Sequence, residues 1–139
     1  MPDHDVPTVI FLCVHNAGRS QMAAGWLEHL AGPGVRVRSG GSAPRDRIHP
    51  VAAEAMREVG VDIEGRHPRA WTRADLEAAD VVVTMGCGDQ CPVVPATRYL
   101  DWQLEDPADQ PLERVRPIRD RIEQHVRELM SELGVAPVR

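Results

Sequence analysis

The sequence predicts an α/β fold, a single domain built on a parallel β-sheet with helices on both faces. Three observations carry this. Strand-like and helix-like segments alternate along nearly the whole chain, the order that a parallel sheet with crossover helices requires. Two strands, Thr8–Leu12 and Val81–Met85, are continuous apolar runs rather than alternating ones, as burial on both faces demands. The chain has 139 residues, 42% hydrophobic and 27% charged. That is the size of one domain, with a core large enough to do without disulfide staples.

The elements follow in order. Thr8–Leu12 is strand one. A helix runs from about Ser20 to Leu30 with Ala23, Trp26, Leu27 and Leu30 at core spacing, and Ala31-Gly32-Pro33-Gly34 ends it. Val35–Ser39 alternates and reads as strand two, followed by a loop over Gly40–Ile48. His49-Pro50 starts a helix that reaches about Val59, with Val51, Ala55, Met56 and Val59 inward and Gly60 closing it. Val61–Trp71 is irregular. Thr72–Ala78 is a short helix with Thr72 as N-cap and Asp75 three residues on, a weaker form of the capping box. Val81–Met85 and Thr97–Trp102 are strands three and four. A last helix carries Val115, Ile118, Ile122, Val126, Leu129 and Leu133 at helical spacing, with Pro117 in its first turn or kinking it. The unit spans residues 1–139, with flexible termini expected over about 1–6 and 134–139. Trp26, Trp71 and Trp102 are read as packing residues.

Composition narrows the function. No apolar stretch approaches the roughly 20 residues that span a bilayer, so no membrane association is expected. Met1-Pro2-Asp3-His4-Asp5 is polar and acidic, unlike a secretory signal; the expected location is cytoplasmic. A net charge of −5 offers no electrostatic footprint for nucleic acid. In a reducing compartment the three cysteines rest as thiols.

The densest chemistry lies directly after strand one, in Cys13-Val14-His15-Asn16-Ala17-Gly18-Arg19-Ser20. A buried strand delivers Cys13 to the carboxyl edge of the sheet, where ligands of such sheets bind. The loop can curl so that its N–H groups form an anion nest at a helix N-terminus. Arg19 offers a planar fork for two oxyanion oxygens, and the same field favours the charged thiolate. Ser20 is placed to donate a hydrogen bond to the sulfur. Asn16 and Gly18 suit a loop that needs positive φ. His15 is read as pointing to solvent. Cys-x5-Arg alone is a weak signal, and Cys13 alone reads as a buried strand-end cysteine. The strand before it, Gly18 within it, Ser20 after it and the helical run from Gln21 raise it to an oxyanion-binding loop.

With this loop near the N-terminus, the chain resembles the low-molecular-weight protein tyrosine phosphatase fold, most closely its arsenate reductase branch. The resemblance runs from about Val9 to about Leu133. It rests on Cys13–Ser20, on Thr84-Met85-Gly86-Cys87-Gly88-Asp89-Gln90-Cys91-Pro92, and on Asp106-Pro107. It implies a four-stranded parallel sheet, and a catalytic set of Cys13, Arg19, Asp106, Cys87 and Cys91 around an oxyanion loop of Val14, His15, Asn16, Ala17, Gly18, Arg19 and Ser20. It implies neither metal nor cofactor. Ser39 and Gly40-Gly41 resemble a position that supports the loop.

The resemblance also implies an order of events. Cys13 attacks arsenate and Asp106 protonates the leaving oxygen. Cys87 displaces arsenite by attacking the Cys13 sulfur, and Cys91 then frees Cys13, leaving Cys87–Cys91 for an external reductant. Acidic neighbours Asp101, Glu105 and Asp109 favour a protonated Asp106. Cys87 must reach Cys13 by movement of the Gly86–Pro92 segment. Thioredoxin or a related redoxin fits a Cys87–Cys91 disulfide, whereas a small-thiol route would make one or both cysteines dispensable.

Other readings stay on the table. Zinc needs four ligands in a closed site, and no second half-site accompanies Cys87 and Cys91. A phosphatase shares the loop, because phosphate and arsenate match in shape and charge. It has no use for Cys87 and Cys91, and Ala108-Asp109-Gln110-Pro111 lacks the aromatic residues that the phosphatase branch carries after Asp-Pro. A non-enzymatic thiol binder leaves Arg19 and Asp106 without a role. Ala17 stands where some reductases carry an extra loop cysteine. Ala24 and Ala70 stand where some carry acidic ligands for a monovalent cation, so that site is not carried over.

Overall fold

β1 (Thr8–Cys13) has all six residues buried, and its side chains alternate between two cores. Val9, Phe11 and Cys13 face the larger one, while Ile10 and Leu12 face a smaller one with Leu76, Ala79 and Val82. This two-sided burial is why the run is apolar throughout. Side chains such as Phe11, Leu12, Leu27 and Ile122 are fully buried, each contributing about 1.5–3 kcal/mol. The structure is a computed structural model and describes residues 6–85 and 98–138.

β2 (Arg36–Gly41), β3 (Val81–Thr84) and β4 (Arg98–Asp101) complete an all-parallel sheet of order β2-β1-β3-β4, the architecture expected from the sequence. β1 sits between β2 and β3. β2 starts one residue later than the alternation suggests and continues through Gly40-Gly41. Glycines carry no strand propensity, so nothing local marks this extension. It is held from outside, where Gly41 N–H donates to Arg69 O at 2.9 Å and Trp71 N–H to Gly41 O at 3.3 Å.

α1 (Arg19–Ala31), α2 (Pro50–Glu58) and α4 (Leu112–Leu133) line the larger core, and α3 (Arg73–Ala78) covers the other face through Leu76. In α3 the full capping box forms: Asp75 N–H donates to Thr72 Oγ1 at 3.1 Å and Thr72 N–H to Asp75 Oδ2 at 2.8 Å. α2 buries Ala52, Ala53, Ala55 and Met56, while Val51 and Val59 lie half-buried at the rim. Pro117 falls in the second turn of α4, beyond the first-turn position at which proline is harmless. Trp26 locks α1 to α4, its indole N–H donating to Arg119 O at 3.2 Å. Trp102 is buried against Phe11 and His125, and the Trp71 Cβ lies over Gly40. Beyond α4, Val138 N–H donates to Leu30 O at 2.7 Å. No helix among the described residues is long and apolar enough to cross a membrane.

Candidate active site

The site forms where β1 ends. Cys13 is 3% exposed and pairs in register with Gly41 of β2, while Leu12 pairs with Thr84 at the end of β3. A Cβ at position 41 would lie 2.5 Å from Val14 O, so only glycine lets β2 pass beneath the first residue of the loop. That is a physical basis for the supporting role expected of the Ser39–Gly41 segment.

The loop's backbone polarity is set by the segment that follows β2. Val14 O accepts from Ala43 N–H at 2.8 Å, His15 O from Arg45 N–H at 3.0 Å, and Ala17 O from His49 N–H at 2.9 Å. No cis peptide occurs among the described residues, and in a trans peptide N–H and C=O point in opposite directions. The N–H groups of His15, Asn16 and Gly18 therefore point away from the segment that holds those carbonyls. N–H groups turned in one sense in this way are what an anion nest is built from. Asn16 adopts φ +50°, which asparagine tolerates better than most residues.

Buried polar side chains hold the inner side of the loop. Cys13 Sγ and Ser20 Oγ are 2.8 Å apart, and Asn16 Nδ2 donates to Ser20 Oγ at 2.7 Å. Asn16 Oδ1 accepts from Arg69 N–H at 2.9 Å and from Gln21 Nε2 at 3.0 Å.

Arg19 opens α1 and reaches two groups of the segment after β4. Its guanidinium donates to Leu104 O at 3.3 Å and lies 3.6 Å from Asp106 Oδ2. The Arg19 side chain is 12% exposed and that of Asp106 46%, so the carboxylate sits at the mouth with the guanidinium behind it. Asp106 Oδ1 also accepts from Ala108 N–H at 3.0 Å. Pro107 packs on the loop so closely that a Cβ at Gly18 would lie 2.9 Å from its Cγ. The group that Asp106 faces is thus the Arg19 guanidinium. Asp101 is engaged elsewhere, accepting from Thr84 Oγ1 at 2.7 Å.

The structure thus brings together Cys13, Val14–Ser20 and Asp106. Cys87 and Cys91 lie outside the described residues. β3 ends at Thr84 and Met85 N–H donates to Leu12 O at 2.8 Å, so the chain leading to Cys87 leaves the sheet at the edge where Cys13 sits. Several groups at the site carry no local sequence signal: the Leu104 carbonyl, Gln21, Arg66 and His49. His49 caps α2, as the His-Pro pair suggests, but it also borders Gly18. Burial is the main cause lowering its pKa below the ordinary histidine value. Asp106 opposes that shift, Arg45 and His15 add to it, and Asp109 opposes it.

The chain as a whole has known relatives. The low molecular weight phosphotyrosine protein phosphatase family matches residues 8–136. The glutaredoxin arsenate reductase of Synechocystis sp. is 37% identical over 129 residues, covering 91% of this chain and 98% of that protein. Among solved structures, the thioredoxin-dependent arsenate reductase of Corynebacterium glutamicum superposes with a TM-score of 0.82 at 45% identity, over 93% of this chain. This chain spans 62% of that protein's length. An arsenate reductase in its phosphate-binding state superposes with a TM-score of 0.82 at 34% identity, covering 92% of this chain and 99% of the other. With the family's model matching residues 8–136 and a relative 37% identical over most of both chains, one assignment follows: the chain belongs to the low molecular weight phosphotyrosine protein phosphatase family.

Proposed function

We propose that this protein reduces arsenate to arsenite through a cysteine relay that a thioredoxin-like dithiol protein resets. The observation that carries the reading is the meeting of Cys13, the outward-tied loop and the Arg19–Asp106 pair at one edge of the sheet. The reductase relatives, and the cysteines at 87 and 91, support a reductase over a phosphatase.

In this reading the loop N–H groups and the Arg19 fork hold a tetrahedral dianion against Cys13. The Cys13 thiolate forms a sulfur–arsenic bond, and one arsenate oxygen leaves as water after Asp106 delivers a proton. The Cys87 thiolate then attacks the Cys13 sulfur. The sulfur–arsenic bond breaks, its electron pair stays on arsenic, and arsenite departs as a Cys13–Cys87 disulfide forms. Attack by Cys91 on the Cys87 sulfur releases the Cys13 thiolate and leaves Cys87–Cys91 oxidised. The external dithiol reduces that bond, supplying the two electrons consumed per turnover. Such a relay belongs in a reducing, cytoplasmic setting.

The test is arsenate turnover by the purified protein with thioredoxin and its reductase, against glutaredoxin and a small thiol, with Cys13→Ser as control. Turnover with a redoxin and none in Cys13→Ser is the expected result. Turnover of a phosphate ester with no redoxin-coupled arsenate reduction would make the protein a phosphatase.

A further inference from the structure

Behind the loop, a line of hydrogen bonds leads from the surface to the sulfur. Arg66 Nε donates to Gln21 Oε1 at 2.7 Å. Gln21 Nε2 donates to Asn16 O at 3.1 Å and Asn16 Oδ1 at 3.0 Å. Asn16 Nδ2 donates to Ser20 Oγ at 2.7 Å, and Ser20 Oγ lies 2.8 Å from Cys13 Sγ. Gln21, Asn16 and Ser20 are all buried. The far end is anchored outside, where Arg66 also pairs with Glu28 and its side chain is 25% exposed.

The sense of each bond follows from the chemistry of the ends. A guanidinium only donates, so Gln21 turns its carbonyl oxygen to Arg66 and its NH2 to Asn16. The backbone N–H of Arg69 only donates, at 2.9 Å, so Asn16 turns Oδ1 toward it and Nδ2 toward Ser20. The Ser20 oxygen is thereby an acceptor from Asn16. Among the described residues, the acceptor in reach of its single proton is Cys13 Sγ. Every link donates in one direction, and the last falls on an atom that, as a thiolate, only accepts.

We infer that Arg66 and Gln21 are positioning residues for Cys13: together with the Arg69 N–H they hold Asn16 in the orientation in which Ser20 donates to the sulfur rather than accepting from it. The inference rests on the reading of Cys13 as nucleophile. It extends the site to a surface arginine 45 positions from Gln21 in sequence.

Gln21→Glu tests the sense of the chain. It keeps the size and can pair with Arg66, but a carboxylate has no N–H for Asn16. Arg66→Met removes the donor at the accessible end, and Arg66→Lys restores one. The carbonyls of Val14, His15 and Ala17 stay tied to residues 43–49 in all three, whereas Gln21→Glu also frees Asn16 O, so the KM-against-kcat split is read in the Arg66 variants. For arsenate reduction, kcat should drop about tenfold in Gln21→Glu and Arg66→Met, with KM little changed in Arg66→Met. The pH–rate profile of Cys13 alkylation by iodoacetamide should move up by about one pH unit, with partial return in Arg66→Lys. A merely structural role would lower the melting temperature and leave that profile in place. If Gln21→Glu does not fold, the Arg66 pair decides alone. Wild-type profiles and kcat in folded Arg66→Met would overturn the inference even with Cys13→Ser inactive. An active Cys13→Ser would instead overturn the reading of the nucleophile.

Discussion

Arg19 is the residue on which shape matters more than charge. Its guanidinium reaches Leu104 O at 3.3 Å and Asp106 Oδ2 at 3.6 Å, so it already spans the segment after β4 while it stands at the head of α1. A planar fork can hold these contacts and present further N–H groups to an oxyanion; a lysine ammonium is a point charge and cannot. Arg19→Lys should therefore raise KM and lower kcat for arsenate together, because the contact serves both the bound anion and the transition state. Steady-state kinetics on the folded variant check this, and near-normal constants would show that the two-pronged contact is dispensable. Much of this site was legible in the sequence, because residues 13–20 are contiguous and their types state their chemistry. Asp106 was legible only through its resemblance to a known pair of residues. Arg66 was not legible at all. It bonds Gln21 across 45 positions, and nothing in its own surroundings distinguishes it from the other arginines. The acidic run around Asp106 pointed toward like-charge neighbours, but chain direction carried Asp101 to the end of β3 and left Asp106 facing Arg19.

At the level of elements, helix periodicity held for α4, whose long apolar stripe outweighs local detail; α1 buries its four predicted positions but also every other residue from Ser20 to Leu27, and the periodicity slipped for α2. There the small side chains Ala52 and Ala53 pack inward and the larger valines sit at the rim, because the space against α4 is set by its partner. Between β4 and α4 lies a stack that ties stability to pH. The Trp102 and His125 rings are 4.8 Å apart at an interplanar angle of 16°. Burial lowers the pKa of His125; Glu128 opposes the shift and Arg121 adds to it. A histidine whose folded pKa lies below its unfolded value binds protons more readily when unfolded. It costs nothing well above the unfolded pKa of about 6.5, and stability is lost as the pH falls through that value toward the folded pKa. His49 acts in the same sense. The melting temperature should therefore fall between about pH 7.5 and about pH 5.5, and His125→Phe, which keeps an aromatic ring without the charge, should reduce that fall. An equal slope in both proteins would remove His125 from the account.

Across the whole molecule, the sheet order makes a relay between distant cysteines sterically short. β1 and β3 are neighbours, with Leu12 in register with Thr84, and adjacent strands lie about 4.8 Å apart. Three residues of chain from Thr84 to Cys87 span at most about 11 Å, so chain length allows the Cα–Cα approach of about 7 Å that a Cys13–Cys87 disulfide requires. The same topology brings Asp106 in from the far side, because β4 is parallel to β3 and ends at the same edge. The relay then makes predictions that neither a phosphatase nor a thiol binder shares. After one equivalent of arsenate, the wild type should hold Cys87–Cys91 oxidised and Cys13 free. Cys91→Ser should stop at Cys13–Cys87. Cys87→Ser should form the adduct on Cys13 and release no arsenite until a thiol is added. Peptide mapping of the alkylated, unreduced protein distinguishes the three states: alkylation falls on Cys13 in the wild type, on neither remaining cysteine in Cys91→Ser, and on Cys91 in Cys87→Ser. If both serine variants cycle like the wild type with a thioredoxin system, Cys87 and Cys91 do not carry the electrons. The external thiol must then attack the Cys13 adduct directly.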